Sequence, residues 1–139
     1  MPVRFQIVPQ RQLILFSSHG VIALQDSMDI VAEAAAHPDY RPWLRQLCDL
    51  SRVTAVERDF PKLLRMQARI LEDLDPGAGE LVVLFYAPTG PGQEMAHMAQ
   101  KSWEGLNSVI VRIQDSETAV LDLLGLPETR LDDLLQLVD

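Results

Sequence analysis

The spacing of apolar residues changes period several times along the chain, and each change marks an element. Arg4-Phe5-Gln6-Ile7-Val8 alternates polar and apolar before Pro9, and Leu13-Ile14-Leu15-Phe16 then runs apolar up to Ser17-Ser18-His19-Gly20. The pair reads as a β-hairpin across Pro9-Gln10-Arg11, with the first strand half-exposed and the second more buried. Ile30, Val31, Ala34 and Ala35 fall on one face of a helix that Asp26 or Ser27 can cap. His37-Pro38 ends it, because the residue before a proline is pushed out of the helical region. The aromatic loop Asp39-Tyr40-Arg41-Pro42-Trp43 leads to Leu44-Arg45-Gln46-Leu47-Cys48-Asp49-Leu50-Ser51-Arg52-Val53-Thr54, read as a buried strand ending in a polar turn. This strand is the predicted centre of the fold. It feeds a second helix, opened by Glu57-Arg58-Asp59-Phe60-Pro61, with the proline near its first turn, where a missing N–H costs little. Phe60, Leu63, Leu64, Ile70, Leu71 and Leu74 supply that helix with a stripe of period 3.6.

Asp75-Pro76-Gly77-Ala78-Gly79 is the strongest break in the chain. Leu81 to Ala87 is apolar throughout, as suits an interior strand of a parallel sheet covered on both faces. Pro88-Thr89-Gly90-Pro91-Gly92 turns into a third helix with Met95, Met98, Ala99 and Trp103 inward and Gly105 as its stop. Ser108 to Ile113 is the last strand. Asp115 or Ser116 caps a short helix through Ala119, Val120, Leu123 and Leu124, stopped by Gly125. Leu131, Leu134, Leu135 and Val138 place an apolar stripe on a helical tail over 128–139. The order ββαβαβαβα predicts an α/β fold, a mixed and mostly parallel sheet of about five strands with flanking helices.

At 139 residues and 47% hydrophobic, the chain is long enough for one good core and too short for two ordinary domains, so 1–139 reads as a single domain. Met1 to Gln10 carries Arg4 and no continuous apolar run, which argues against a signal or transit peptide. No stretch approaches the roughly 20 apolar residues that cross a bilayer. One cysteine, Cys48, excludes an internal disulfide and a cysteine-rich metal site and fits a reducing compartment. These features together predict a soluble cytoplasmic protein with no membrane partner. The net charge of −8 argues against nucleic acid as a partner. The charge is uneven: between Arg41 and Arg69 seven basic residues face three acids, leaving −12 on the rest of the chain.

Three stretches carry a family resemblance: His37-Pro38-Asp39-Tyr40-Arg41 leading to Asp49-Leu50-Ser51-Arg52-Val53-Thr54; the Leu81 to Ala87 strand followed by Glu94-Met95-Ala96-His97-Met98; and Ile113-Gln114-Asp115-Ser116-Glu117-Thr118-Ala119 followed by Leu123-Leu124-Gly125. Taken together, Gly20 to Leu126 resembles the SpoIIAA-like proteins of the STAS superfamily, the fold of anti-sigma-factor antagonists and of the cytoplasmic tails of sulfate transporters. The resemblance implies regulation or scaffolding through protein contacts, without catalysis and without a cofactor. In antagonists of this fold an Asp-Ser-Ser-Gly motif at a helix start carries a phosphorylated serine. Here an ungapped continuation places Glu57-Arg58-Asp59-Phe60 at that position, so the serine is missing and the acid Asp59 stands in its place. Its charge at a helix N-terminus can imitate phosphate in part, or Asp59 is an ordinary capping acid.

Arg58, Lys62, Arg65 and Arg69 are spaced i, i+4, i+7 and i+11, one face of a regular helix. With Ser51, Arg52, Thr54 and Asp59 they make the candidate contact surface for a protein partner of acidic character. The alternative is a solvated face neutralised by the chain's own acids, for instance Asp132 and Asp133. A homodimer through the apolar edge of the tail is a further expectation. A second class of function, carrying or sensing a small apolar or anionic ligand, would place it at the carboxyl ends of the strands, against Tyr86, Thr89, Gly90, Gly92, Met95 and Met98. Gly90-Pro91-Gly92 lacks the rest of a phosphate-binding motif, and two prolines remove donors, so a structural turn is the competing reading. Glu94-x-x-His97 has the spacing of half a dimetal site, but the chain has no second copy, and no metal is expected. Cys48, alternating with Leu47 and Asp49, reads as an inert core thiol. His19 beside Ser17-Ser18 lacks a nucleophile elbow. Tyr40 and Trp43 either cover one end of the sheet or, beside Arg41 and Arg45, form a contact pair.

Overall fold

Pro9 cannot continue a ladder, and the chain reverses there. In a computed structural model, whose described residues are 2–74, 79–106 and 108–137, β1 (Val3–Val8) and β2 (Leu13–Ile22) form the predicted hairpin across a 3-10 turn at Pro9–Arg11. The remaining elements are α1 (Leu24–Ala35), β3 (Arg45–Val56), α2 (Phe60–Leu74), β4 (Leu81–Tyr86), α3 (Gly90–Ser102), β5 (Val109–Gln114), α4 (Glu117–Leu124) and α5 (Leu131–Leu135). The strands lie in the order β1-β2-β3-β4-β5, with β1 antiparallel to β2 and every other pair parallel. The protein is therefore an α/β fold with a mixed five-stranded sheet, consistent with a STAS-like arrangement. The predicted break over Asp75 to Ala78 lies outside the described residues. Among the described residues no helix is long and apolar enough to cross a membrane.

Alternation along the strands sends side chains to two cores. Ile14 and Phe16 of β2, Leu50 of β3 and Leu81, Val83 and Phe85 of β4 face α1, α2 and α3. Leu13, Leu15, Leu47 and Leu84 face the other way, against Val120, Leu121 and Leu124 of α4 and Leu131 and Leu134 of α5. The tail thus joins the second core through Leu131 and Leu134, Leu135 stays exposed, and Val138 of the predicted stripe lies outside the described residues. Arg11 grips Glu128 through two bonds of 2.7 and 2.8 Å, and Gln10 Nε2 donates to the Leu137 carbonyl at 2.9 Å. Arg45 donates to the carbonyls of Leu124 and Arg11, so this arginine joins the hairpin to the end of α4.

Three local expectations are corrected. The polar segment after Leu50 is strand, not turn: β3 continues to Val56, carrying Ser51, Arg52 and Thr54 within it. Its register against β2 shifts twice, so Leu50, Val53 and Val56 point inward at intervals of three residues instead of two. Helix α1 starts at Leu24, with Ala23 as its N-cap, and Asp26 acts from the first turn, its carboxylate accepting from the Ala23 N–H at 3.0 Å. The Leu24 N–H donates to Glu57 Oε1 at 3.0 Å, tying the start of α1 to the residue after β3. In α2 the inward set is Leu63, Met66, Gln67 and Ile70, while Leu64 is exposed. Gln67 belongs to that set because its amide donates to Ser102 Oγ of α3 at 2.9 Å, which satisfies a buried polar group.

Candidate functional site

The candidate contact residues fall into two groups. On β3, Arg52 and Thr54 are exposed and Ser51 is half-buried, its N–H accepted by Asp49 Oδ1 at 3.0 Å. β3 pairs with β4 only from Gln46 to Asp49, yet its ladder with β2 runs on to Val56, opposite Ile22. The last turns of these two strands therefore project as a ribbon, with His19 opposite Arg52 and Val21 opposite Ala55. Val21 is 71% exposed, the most exposed large apolar side chain among the described residues.

The basic series behaves differently. Arg58 precedes α2 and does not share a helix face with the other three. Its guanidinium grips Glu94 of α3, with Nε 2.6 Å from Oε2 and Nη2 3.1 Å from Oε1. Lys62 Nζ lies 3.1 Å from Glu57 Oε2, and Arg69 lies 3.8 Å from Asp73 one turn on. The leading causes that hold the Glu57 carboxyl below its usual range are the Leu24 N–H and then Lys62. Arg65 is exposed and has no ion pair among the described residues. The acids that answer the series are Glu57, Asp73 and Glu94, whereas Asp132 lies near Arg130. Asp59 caps α2: its Oδ1 accepts from the Lys62 N–H at 3.1 Å and its carbonyl from Leu63 at 2.9 Å.

The residues named for a ligand at the carboxyl ends of the strands are not brought together. Tyr86, two residues on from Leu84, packs with the second core, and burial followed by the charges of Glu117 and Asp49 raises its phenol above its ordinary value. Thr89 caps α3, accepting from the Gly92 N–H at 3.3 Å, and Gly92 lies against the Leu50 carbonyl. The Gly90-Pro91-Gly92 segment is thus a helix start closed by its own cap. Met95 and Met98 instead line an interior cavity of about 100 Å³ between the sheet and helices α1, α2 and α3. Gln46, Ser18, Gln67 and Trp103 also line it. The sequence reading did not assign these four to any site, although a glutamine within the most apolar part of β3 was a signal that a polar group is buried there.

Glu94 is held by Arg58, and His97 Nε2 lies 3.0 Å from Gln93 Oε1. Among the described residues no three potential metal ligands stand together. Trp43 is largely exposed and Tyr40 packs against the first core. Cys48 lines the cavity, and burial, with the Asp49 charge second, pushes its thiol up to about 12. A thiol shifted upward by burial stays protonated at pH 8, so native protein should resist an aromatic disulfide reagent that labels it fully in urea. Stoichiometric labelling of the native protein within minutes would show an open, activated thiol instead.

No family model matches the chain, and no curated protein matches it.

Proposed function

We propose that this chain is a non-enzymatic regulatory or scaffolding domain, akin to the SpoIIAA-like proteins of the STAS superfamily, that acts in the cytoplasm by contacting a protein partner of acidic character through the projecting β2–β3 ribbon. The observation that carries the reading is the exposed pairing of Val21 with Ala55 beside Arg52 and Thr54. An apolar centre rimmed by an arginine and a hydroxyl has the composition of a contact surface, in which aromatic and arginine anchors or small apolar pockets contribute most and the rim excludes water. The element order and the resemblance of Asp49-Leu50-Ser51-Arg52-Val53-Thr54 to the corresponding segment of that family support it.

The α2 series supports it in a secondary way. Arg69 is exposed and 3.8 Å from Asp73, so that pair contributes little and can exchange for a carboxylate of a partner, whereas Arg58 is held by two bonds to Glu94. Arg65 needs no exchange. Asp59 is engaged as a cap, and the reading invokes no phosphorylation of this chain.

The test compares the ribbon with the helix. Immobilised wild type, a Val21→Asp/Arg52→Glu variant and an Arg65→Glu/Arg69→Glu variant are offered the same native lysate, after far-UV circular dichroism shows that all three are folded. The expected result is a specific protein held by the wild type, lost from the ribbon variant and weakened in the helix variant. A partner that the ribbon variant retains in full, or a wild type that holds none, overturns the reading.

A further inference from the structure

We infer that the cavity between the sheet and helices α1, α2 and α3 is a binding site for a small uncharged molecule of about four to six heavy atoms, an apolar body with one hydroxyl head, of the short-chain alcohol class. The cavity measures about 100 Å³. An engineered cavity of about 150 Å³ in another protein takes up benzene, which sets the scale of the occupant. Phe16, Ile30, Val83 and Phe85 form apolar wall, and Met66, Met95 and Met98 add unbranched side chains that adapt to a ligand's outline.

Three buried polar groups in that wall lack a partner among the described residues. Gln46 is 5% exposed and Ser18 6%, both line the cavity, and neither side chain makes a hydrogen bond among the described residues. The Trp103 indole N–H is fully buried and has no partner among the described residues. Buried amides and hydroxyls are nearly always bonded, and leaving one unpaired destabilises the fold. Ser18 and Gln46 stand on the adjacent strands β2 and β3. A hydroxyl offers what Gln46 and Ser18 lack, donating to the Gln46 carbonyl oxygen or accepting from the Gln46 amide or Ser18.

The occupant is uncharged because no carboxylate, histidine, lysine or arginine lines the cavity and the Cys48 thiol is held protonated, so an ion there would have no counter-charge. It is organic because most of the wall is apolar, and each water in such a space needs two to four polar partners. This inference does not depend on the protein-contact reading above.

The experiment uses full-length protein carrying Trp43→Phe, which leaves Trp103 as the single tryptophan. 1-Butanol is titrated while Trp103 emission and the chemical shifts of labelled methionine methyls are followed. The expected result is a saturable emission change, with shifts at Met66, Met95 and Met98 that reach a plateau at the same concentration. Adding Gln46→Leu should weaken the apparent affinity by about tenfold, the effect of losing one well-placed hydrogen bond. If that variant does not fold, Ser18→Ala is the substitute. A response that stays linear in 1-butanol, as a general solvent effect would, overturns the proposal and leaves the cavity to water. A saturable response of equal midpoint in the polar-group variants overturns the assignment of the head.

Discussion

Replacing Gly92 by valine is expected to leave no folded protein, and Gly92→Ala should lower stability by about 1–3 kcal/mol, read as a lower urea midpoint. Helix propensity taken alone predicts the opposite sign, because alanine is favoured over glycine in a helix by about 1 kcal/mol. Packing decides. A Cβ on Gly92 would stand 2.9 Å from the Leu50 carbonyl oxygen and 3.4 Å from the Leu50 Cβ. That carbonyl is backbone of the central strand and has no rotamer by which to move away. On its other flank the Cβ would be 3.3 Å from Thr89 Oγ1, the atom that caps the helix. One turn later Ala96 is fully buried on α3, so the helix cannot lift at its start without opening the core behind it. Gly90 supplies the control: it lies in the same first turn and a Cβ there meets nothing within 4 Å. Gly90→Ala should leave the midpoint unchanged or raise it. A Gly92→Ala protein as stable as the wild type would mean that α3 does not approach β3 as closely as described.

The same glycine shows where sequence reasoning succeeds and where it stops. The Pro-Thr-Gly-Pro-Gly segment marks a strand-to-helix turn without ambiguity, and both the apolar β4 and the amphipathic α3 follow from it. What Gly92 touches is a tertiary fact, since Leu50 lies 42 positions earlier on a strand brought alongside by the crossover. The order of elements was legible because apolar period and breakers are local properties. The length of β3 was not, for a definite reason. Two register shifts let Leu50, Val53 and Val56 face the core at intervals of three, a spacing that fits neither a regular strand nor a helix and that reads as a polar turn. In α2 a period-matching rule prefers Leu64 to Gln67, although the fold buries Gln67 and exposes Leu64. The deciding element there is Ser102, supplied by another helix. The basic series was legible as composition and spacing, while its partners were not: Glu57 and Glu94 are five and 36 positions from the cations they meet. The cavity was less legible still, because it is bounded by β1 to β4 and three helices, and of its walls only Met95 and Met98 had been named for a ligand.

Leu134→Ala is expected to cost about 2–5 kcal/mol of stability, whereas Leu135→Ala should stay within about 0.5 kcal/mol, although the two leucines are neighbours in a helix of five residues. Leu134 is fully buried in a cluster with Val8, Leu13, Leu15, Leu47 and Leu84, and Leu135 is 37% exposed. A helix of this length has no stability of its own, since the nucleating turn is not repaid by propagation. It is held by what it covers and by its ties: Leu131 N–H to Glu117 Oε1 at 3.0 Å, Arg11 to Glu128, and Gln10 to the Leu137 carbonyl. Removing the Leu134 side chain takes away the central contact and leaves a void that the short helix cannot fill without pulling on all three ties. Urea denaturation of the two single variants measures the difference directly. Equal and small losses would mean that the tail rests loosely on the sheet; its apolar stripe would then be available to a second copy of the chain, and the oligomeric state would have to depend on concentration. A large loss confined to Leu134 assigns the stripe to the chain's own second core, with Leu135 as the part of it left over for any contact between copies.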